Sequence, residues 1–328
     1  MFNLLVGTNK ILEELLNRIA SAENYIYLQF MTFESDSIGK QLVDALTRVK
    51  KTKPNLKIRL MVDYYTYLSI SDQKIYKLHP LFKEVRLLKE IWATHKDFIK
   101  LANMGIDVKM TNPFTIFKLK SFWQRDHRKI VLIDDILLFG GYNISEHNHS
   151  WHDTFMVSTS KELVAIVKKI YMDKFERNFT EQKPIKGDSF TIYQNNNLIL
   201  NQLQRVSTEA RKQIYIESAY LNNDKLLVIL QRKFQEGVNI KIILPETNNR
   251  PEYARVNRKY LKLYPELIEV TNFPRSMTHA KIALVDDLCI YGSACFNSED
   301  VTEICVFIKN PEILKQFLNY FQAKRRIS

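Results

Sequence analysis

At 328 residues, with 45% hydrophobic and 26% charged residues, the chain has a globular composition and enough length for two ordinary cores, which excludes a disordered or fibrous protein. Lysine and arginine outnumber aspartate and glutamate by 48 to 36; the formal charge of +12 favours an anionic partner, phospholipid headgroups or nucleic acid, without choosing between them. The three cysteines, Cys289, Cys295 and Cys305, show neither CxxC spacing nor a secretory framework and read as belonging to a reducing compartment.

The opening Met1-Phe2-Asn3-Leu4-Leu5-Val6-Gly7 passes quickly into an amphipathic helical pattern carrying Glu13, Glu14 and Arg18. That is not a signal-peptide layout, and no apolar run reaches the ~18 residues of a spanning helix. The expectation is a cytoplasmic protein, peripheral if it works at a membrane face. The helical pattern ends near Ala22. Tyr25 to Phe30, rich in β-branched and aromatic residues, reads as a buried strand; a helix over Ile38 to Val49 and a strand over Leu56 to Asp63 complete a βαβ rhythm. The same order returns as a strand over Gln213 to Tyr220, a helix over Asp224 to Gln235 and a strand over Gly237 to Pro245. The polar stretch from Thr180 to Ser189, with Pro184 and Gly187, separates the copies. The expected organisation is an N-terminal half, residues 1–182, and a C-terminal half, residues 183–328, each α/β with a mixed sheet flanked by helices.

Each half carries one His-x-Lys-x4-Asp string. The first is His127, Lys129 and Asp134, followed by Gly140-Gly141-Tyr142-Asn143 and Trp151-His152-Asp153; the second is His279, Lys281 and Asp286, followed by Tyr291-Gly292-Ser293 and Glu303. On a strand, residues two apart share a face, so each imidazole and ammonium can meet one phosphate while the apolar run behind them enters the core. Neutral imidazole is a nucleophile and its conjugate acid a proton donor, both accessible near neutral pH; lysine supplies fixed charge to phosphoryl oxygens. Displacement at phosphorus needs a nucleophile on one side and an acid on the other, and two copies supply both.

With these paired motifs the sequence resembles the phospholipase D superfamily over nearly its whole length. The surroundings Arg125-Asp126-His127-Arg128-Lys129, Gly140-Gly141-x-Asn143 and Trp151-x-Asp153, with Val6-Gly7 and Ile38-Gly39-Lys40-Gln41-Leu42, are most similar to bacterial cardiolipin synthases and related phosphatidyltransferases. The resemblance implies two duplicated phospholipase-D-like halves with the site at their seam, where His127 and His279 face each other. It places Lys129, Lys281, Asn143 and Ser293 around the phosphate. It makes Asp153 and Glu303, which follow their histidines by similar intervals, the acidic partners that orient each imidazole, and Asp134 and Asp286 supports of the motif. It implies phosphodiester transfer or hydrolysis through a phosphohistidine, most similar to phosphatidyl transfer on anionic glycerophospholipid, without a cofactor or catalytic metal. Nucleases of DNA or RNA share the paired motif and are the alternative, followed by a non-catalytic binding descendant. One departure is plain: where the family reads Gly-Ser-x-Asn, this chain has Gly292-Ser293-Ala294-Cys295, and Asn297 lies out of register. Since the first motif keeps its Asn143, the expectation is that His127 attacks phosphorus and His279 protonates the leaving oxygen.

Three further signals are weaker. His147, His149 and His152, beside Glu146, could be drawn as metal ligands, but the spacing fits no established motif and a solvated loop accounts for them. Pro113 to Arg125 interleaves aromatic and basic residues; Phe122 and Trp123 are its candidates for a membrane or substrate approach, against core strand and loop. Arg250, Arg255, Arg258, Lys259 and Lys262 form a basic region that reads as a solvated helix face, or as an attractor of anionic substrate if it flanks the site.

Overall fold

The computed structural model describes residues 1–70, 73–74, 83–113, 125–177, 183–271, 277–297 and 301–324. Phe122 and Trp123 lie outside them, as does part of the stretch between the halves.

In chain order the elements of the first half are β1 (Phe2–Val6), α1 (Thr8–Ser21), β2 (Tyr25–Phe30), α2 (Ser37–Thr52), β3 (Lys57–Asp63), a short ribbon of β4 (Ser69–Ile70) and β5 (Gln73–Lys74), α3 (Lys83–Asn103), β6 (Asp107–Thr111), β7 (Ile130–Ile133), β8 (Ile136–Gly140), α4 (Glu146–His149), β9 (Thr154–Ser158) and α5 (Lys161–Arg177). The second half follows with β10 (Ile185–Lys186), β11 (Phe190–Asn195), α6 (Asn196–Glu209), β12 (Gln213–Ser218), α7 (Asp224–Gln235), β13 (Asn239–Pro245), α8 (Pro251–Leu263), β14 (Ile268–Thr271), β15 (Lys281–Val285), β16 (Leu288–Gly292), β17 (Thr302–Ile308) and α9 (Pro311–Lys324).

Two sheets carry these elements. The first runs β1-β9-β8-β7-β2-β3-β6 and the second β10-β11-β17-β16-β15-β12-β13-β14. In each, the βαβ units set three strands parallel, β2, β3 and β6 or β12, β13 and β14, and the rest pair antiparallel. The second order repeats the first strand for strand, with β10 added at one edge, so the duplication extends to topology. The helices form for local reasons: Asp36 accepts from the Ile38 and Gly39 amides at the start of α2, and Asn195 and Asn223 cap α6 and α7 the same way.

The central strands are buried on both faces and read as largely apolar runs, whereas the outer strands β1, β6 and β11 are partly exposed. A shared core lies between the sheets, where Leu132, Phe139 and Met156 of the first meet Ile282, Tyr291 and Val306 of the second, with Val167 and Tyr171 of α5 and Phe317 and Phe321 of α9. Outer cores lie under α1 and α2 on one side and under α6 and α7 on the other. Burial of this apolar area, at about 25 cal/mol per Å², holds the sheets face to face. That fixed geometry brings the ends of β7 and β15 together.

Candidate active site

The two halves exchange backbone hydrogen bonds where their motifs begin. The His127 amide donates to the Thr302 carbonyl at 2.8 Å, and the Thr302 amide to the Arg125 carbonyl at 3.0 Å. In the mirrored place the His279 amide donates to the His152 carbonyl at 2.6 Å, and the His152 amide to the Met277 carbonyl at 3.0 Å. Each histidine is thus tied to the residue just before the other half's acid.

The side chains cross in the same way. His127 Nδ1 lies 3.2 Å from Glu303 Oε1, and His279 Nδ1 lies 2.8 Å from Asp153 Oδ2. Each imidazole therefore has its acid from the opposite half. With Nδ1 held by a carboxylate, Nε2 is left to face a substrate, and the carboxylate stabilises the imidazolium. Lys129 Nζ donates to the His127 carbonyl at 2.5 Å; Lys281 Nζ donates to the His279 carbonyl at 2.6 Å and sits 3.1 Å from His279 Nδ1. Both lysines are 2% exposed, so their charge is little screened. Burial lowers the pKa of Lys129, opposed by Glu303 and reinforced by Lys281, which places the charges of both halves in one field. Burial pushes Asp153 up to about 6, against the opposing pull of Lys281, the Thr154 amide, His152 and Lys129.

Strand alternation holds, but the strands start later than the motifs suggest. β7 begins at Ile130, so His127 and Lys129 precede it in extended chain, and β15 begins at Lys281. Arg128 points the other way, fully buried, with Nε 2.8 Å and Nη2 2.6 Å from the Asp126 carboxylate. Arg125 reaches Asp63 at 3.0 Å, and Asp63 accepts the Asp126 amide at 2.9 Å. This buried ionic scaffold holds the approach to His127. The second half uses neutral donors in its place: the Thr278 hydroxyl donates to Glu217 Oε1, and Tyr320 donates to Glu217 Oε2 at 2.8 Å.

One sequence assignment, that of Ser293, is corrected, and the structure shows what Asp134 and Asp286 hold. Asp134 and Asp286 end the apolar runs, about 20 Å of extended chain beyond their histidines at ~3.3 Å per residue. Asp134 accepts the amides of Glu23, Asn24 and Tyr25; Asp286 accepts those of Arg211, Lys212 and Gln213. Burial alone would raise their pKa values, but these amides hold both below the usual carboxylate range. They pin the loop leading into β2 or β12 and have no place in the chemistry. Ser293, expected at the phosphate, is fully buried and donates its hydroxyl to Glu303 Oε2, while accepting the Ile304 amide at 3.0 Å. It holds the acid of His127.

Gly141 stands where Ser293 stands, directly after the last glycine of its strand, and a Cβ there would come within 2.5 Å of Asp153 Oδ1. Glycine with the shorter aspartate and serine with the longer glutamate are two solutions to one geometry. Asn143 Oδ1 accepts the Thr32 amide at 3.3 Å. Asn297, by contrast, is buried, donating to the Tyr253 hydroxyl at 2.9 Å and accepting from Asn196 at 3.0 Å. The Cys295 carbonyl accepts the Ser218 hydroxyl at 2.6 Å.

Around His279 lie rings the sequence reading did not single out. Trp151 stands 5.0 Å and Tyr220 5.8 Å from its imidazole, and Arg250 lies 5.1 Å from the Tyr220 ring. Trp151 was legible only as the neighbour of Asp153; Tyr220 closes the strand-like run from Gln213. Arg250 joins the basic region to the site, whereas Arg255, Arg258, Lys259 and Lys262 face solvent on α8. The three histidines diverge: His147 lies 3.5 Å from Glu34, His149 bonds Tyr142 and Asn9, and His152 bonds Tyr320. Their contacts run to different partners, and among the described residues none of the three belongs to a cluster of potential metal ligands.

The family described as "Cardiolipin synthase, PLD-like domain" matches residues 15–181 and 203–325. The chain belongs to this family. Its similarity to cardiolipin synthase 1 of Staphylococcus epidermidis is 25% identity over 355 residues, covering 98% of this chain and 66% of that protein. Cardiolipin synthase of Clostridium perfringens is 26% identical over 97% of this chain and 69% of its own length, so the chain spans about two thirds of these curated relatives. Among solved structures, phosphatidylserine synthase of Haemophilus influenzae shares the fold, with a TM-score of 0.74 at 14% identity over 99% of this chain and 85% of that one. Polyphosphate kinase of Porphyromonas gingivalis gives 0.61 at 15% identity, over 97% of this chain and 49% of its own.

Proposed function

We propose that this chain transfers the phosphatidyl group of an anionic glycerophospholipid to an alcohol or water through a covalent phosphohistidine, as a cardiolipin-synthase-like enzyme or phospholipase D acting peripherally at a membrane. The observation that carries this is the crossed pair: two imidazoles, each oriented at Nδ1 by the other half's carboxylate, with a buried lysine beside each.

In the proposed sequence His127 Nε2 attacks phosphorus while the bond to the leaving alcohol breaks. His279, protonated and held by Asp153, gives its proton to the departing oxygen. The incoming alcohol then loses a proton to His279 and displaces His127, regenerating both groups. Lys129 and Lys281 neutralise charge gathering on the phosphoryl oxygens, which is worth most in a buried site. Membership of the cardiolipin synthase family and the net charge of +12 support the lipid reading.

Purified protein incubated with phosphatidylglycerol vesicles in chelator is expected to form cardiolipin or phosphatidic acid, since fixed lysines supply the charge a metal would otherwise provide. Turnover of labelled DNA or RNA with none of phosphatidylglycerol would replace the lipid reading with a nuclease. Loss of all activity in chelator, restored by metal, would reject the mechanism.

A further inference from the structure

Helix α3 presents an apolar stripe to solvent. Leu88, Trp92 and Ile99 are 59%, 57% and 45% exposed, and their spacing of four and seven residues puts them on one line. Leu87, Phe98 and Leu101 on the same helix are buried and hold it to the protein from another side. Single exposed apolar residues are ordinary, but a stripe of three large ones on a helix calls for a covering partner.

Charge complementarity selects that partner. Lys89, Lys96 and Lys100, all exposed, follow one flank of the stripe, and Lys96 Nζ lies 5.3 Å from the Trp92 ring centroid. An indole and aliphatic side chains flanked by ammonium groups fit the boundary of an anionic bilayer, where rings enter the headgroup layer and lysines meet phosphate. A second copy of this face would set lysine against lysine, and nucleic acid would leave Leu88 and Ile99 without an apolar partner.

Helix α3 is tied to the site through its other side. Thr94 accepts the Ser35 amide at 3.0 Å and Asp97 the Ser35 hydroxyl at 2.5 Å, fixing α3 to the loop after β2. Glu34 of that loop lies 3.5 Å from His147, whose ring is 5.3 Å from Trp151, and Trp151 is 5.0 Å from His279. We propose that the Leu88–Trp92–Ile99 face of α3, with its flanking lysines, is the surface by which this protein docks on anionic phospholipid membranes; this rests on the lipid reading of the site.

The test is co-sedimentation of wild type, L88S/W92S/I99S and K89E/K96E with vesicles of phosphatidylglycerol and phosphatidylcholine, or of phosphatidylcholine alone. Turnover of a soluble phosphodiester and sedimentation velocity accompany it. Each variant is expected to bind the anionic vesicles at least about tenfold more weakly than wild type, with soluble turnover unchanged. Wild-type binding by both variants would overturn the proposal, as would a wild-type dimer that the triple substitution dissociates. If the triple variant does not fold, K89E/K96E decides alone. Wild type that docks yet leaves phosphatidylglycerol unchanged keeps this surface and rejects the lipid reading of the site.

Discussion

The two halves place the same groups by different chemistry. The first approaches its histidine through buried ion pairs, Asp126–Arg128 and Asp63–Arg125; the second uses Thr278, Glu217 and Tyr320, with no ion pair among them. One acid is an aspartate admitted by Gly141, the other a glutamate held by Ser293. Duplication has kept backbone topology and the crossed exchange of acids while side chains diverged. Two histidines equivalent in fold thus sit in unequal surroundings, which suits the proposed division between nucleophile and acid.

The largest test of this asymmetry uses leaving-group dependence. Asp153 serves His279, so D153N is expected to slow turnover of an alkyl ester by on the order of 10²-fold or more, since the leaving alkoxide must be protonated. With a p-nitrophenolate leaving group its effect should shrink to a few-fold. E303Q, acting on His127, should be equally damaging with both. Leaving-group sensitivity in E303Q and none in D153N would mean the roles are reversed.

A smaller effect separates Asn143 from Cys295. N143A is expected to cost about tenfold in kcat/KM through loss of a phosphoryl donor, and C295A less than about threefold, because a thiol is a weak donor. Equal losses would put a phosphate contact at Cys295 and restore symmetry.

The smallest is a pH effect. Asp153 takes up a proton as pH falls through about 6, so activity should decline there and D153N should lose that limb. Stability runs the other way. The raised pKa means the folded state binds this proton more tightly than the unfolded chain, so the contribution is present below the unfolded value near 3.8 and lost as pH rises through about 6. Urea titrations of wild type and D153N across that window check the sign; a parallel pH dependence would remove Asp153 as its source.

Much of this was legible in the sequence. Strand runs such as Tyr25 to Phe30, repeated at Gln213, announce βαβ units because parallel strands buried on both faces must be apolar throughout. The paired motifs announce the histidines and lysines. What sequence could not give was pairing across the fold: Glu303 follows His279 along the chain yet serves His127, since acid partnership is set by the seam between sheets. Nor could it say what Asp134 supports, because only the turn after β7 shows that this carboxylate caps backbone amides at the strand's far end. Ser293 was misplaced for a related reason. A hydroxyl beside a phosphate motif suggests the substrate, until a buried carboxylate claims it.

The most direct measurement is trapping. A diester with a good leaving group is mixed with H279A or H127A, quenched, digested and analysed by mass spectrometry. H279A should carry the phosphoryl adduct on His127 and release it slowly, because the missing imidazole must also activate the incoming alcohol or water. H127A should carry none. An adduct on His279 in H127A would reverse the two roles, and no adduct in any variant of a protein that turns over would contradict the covalent mechanism.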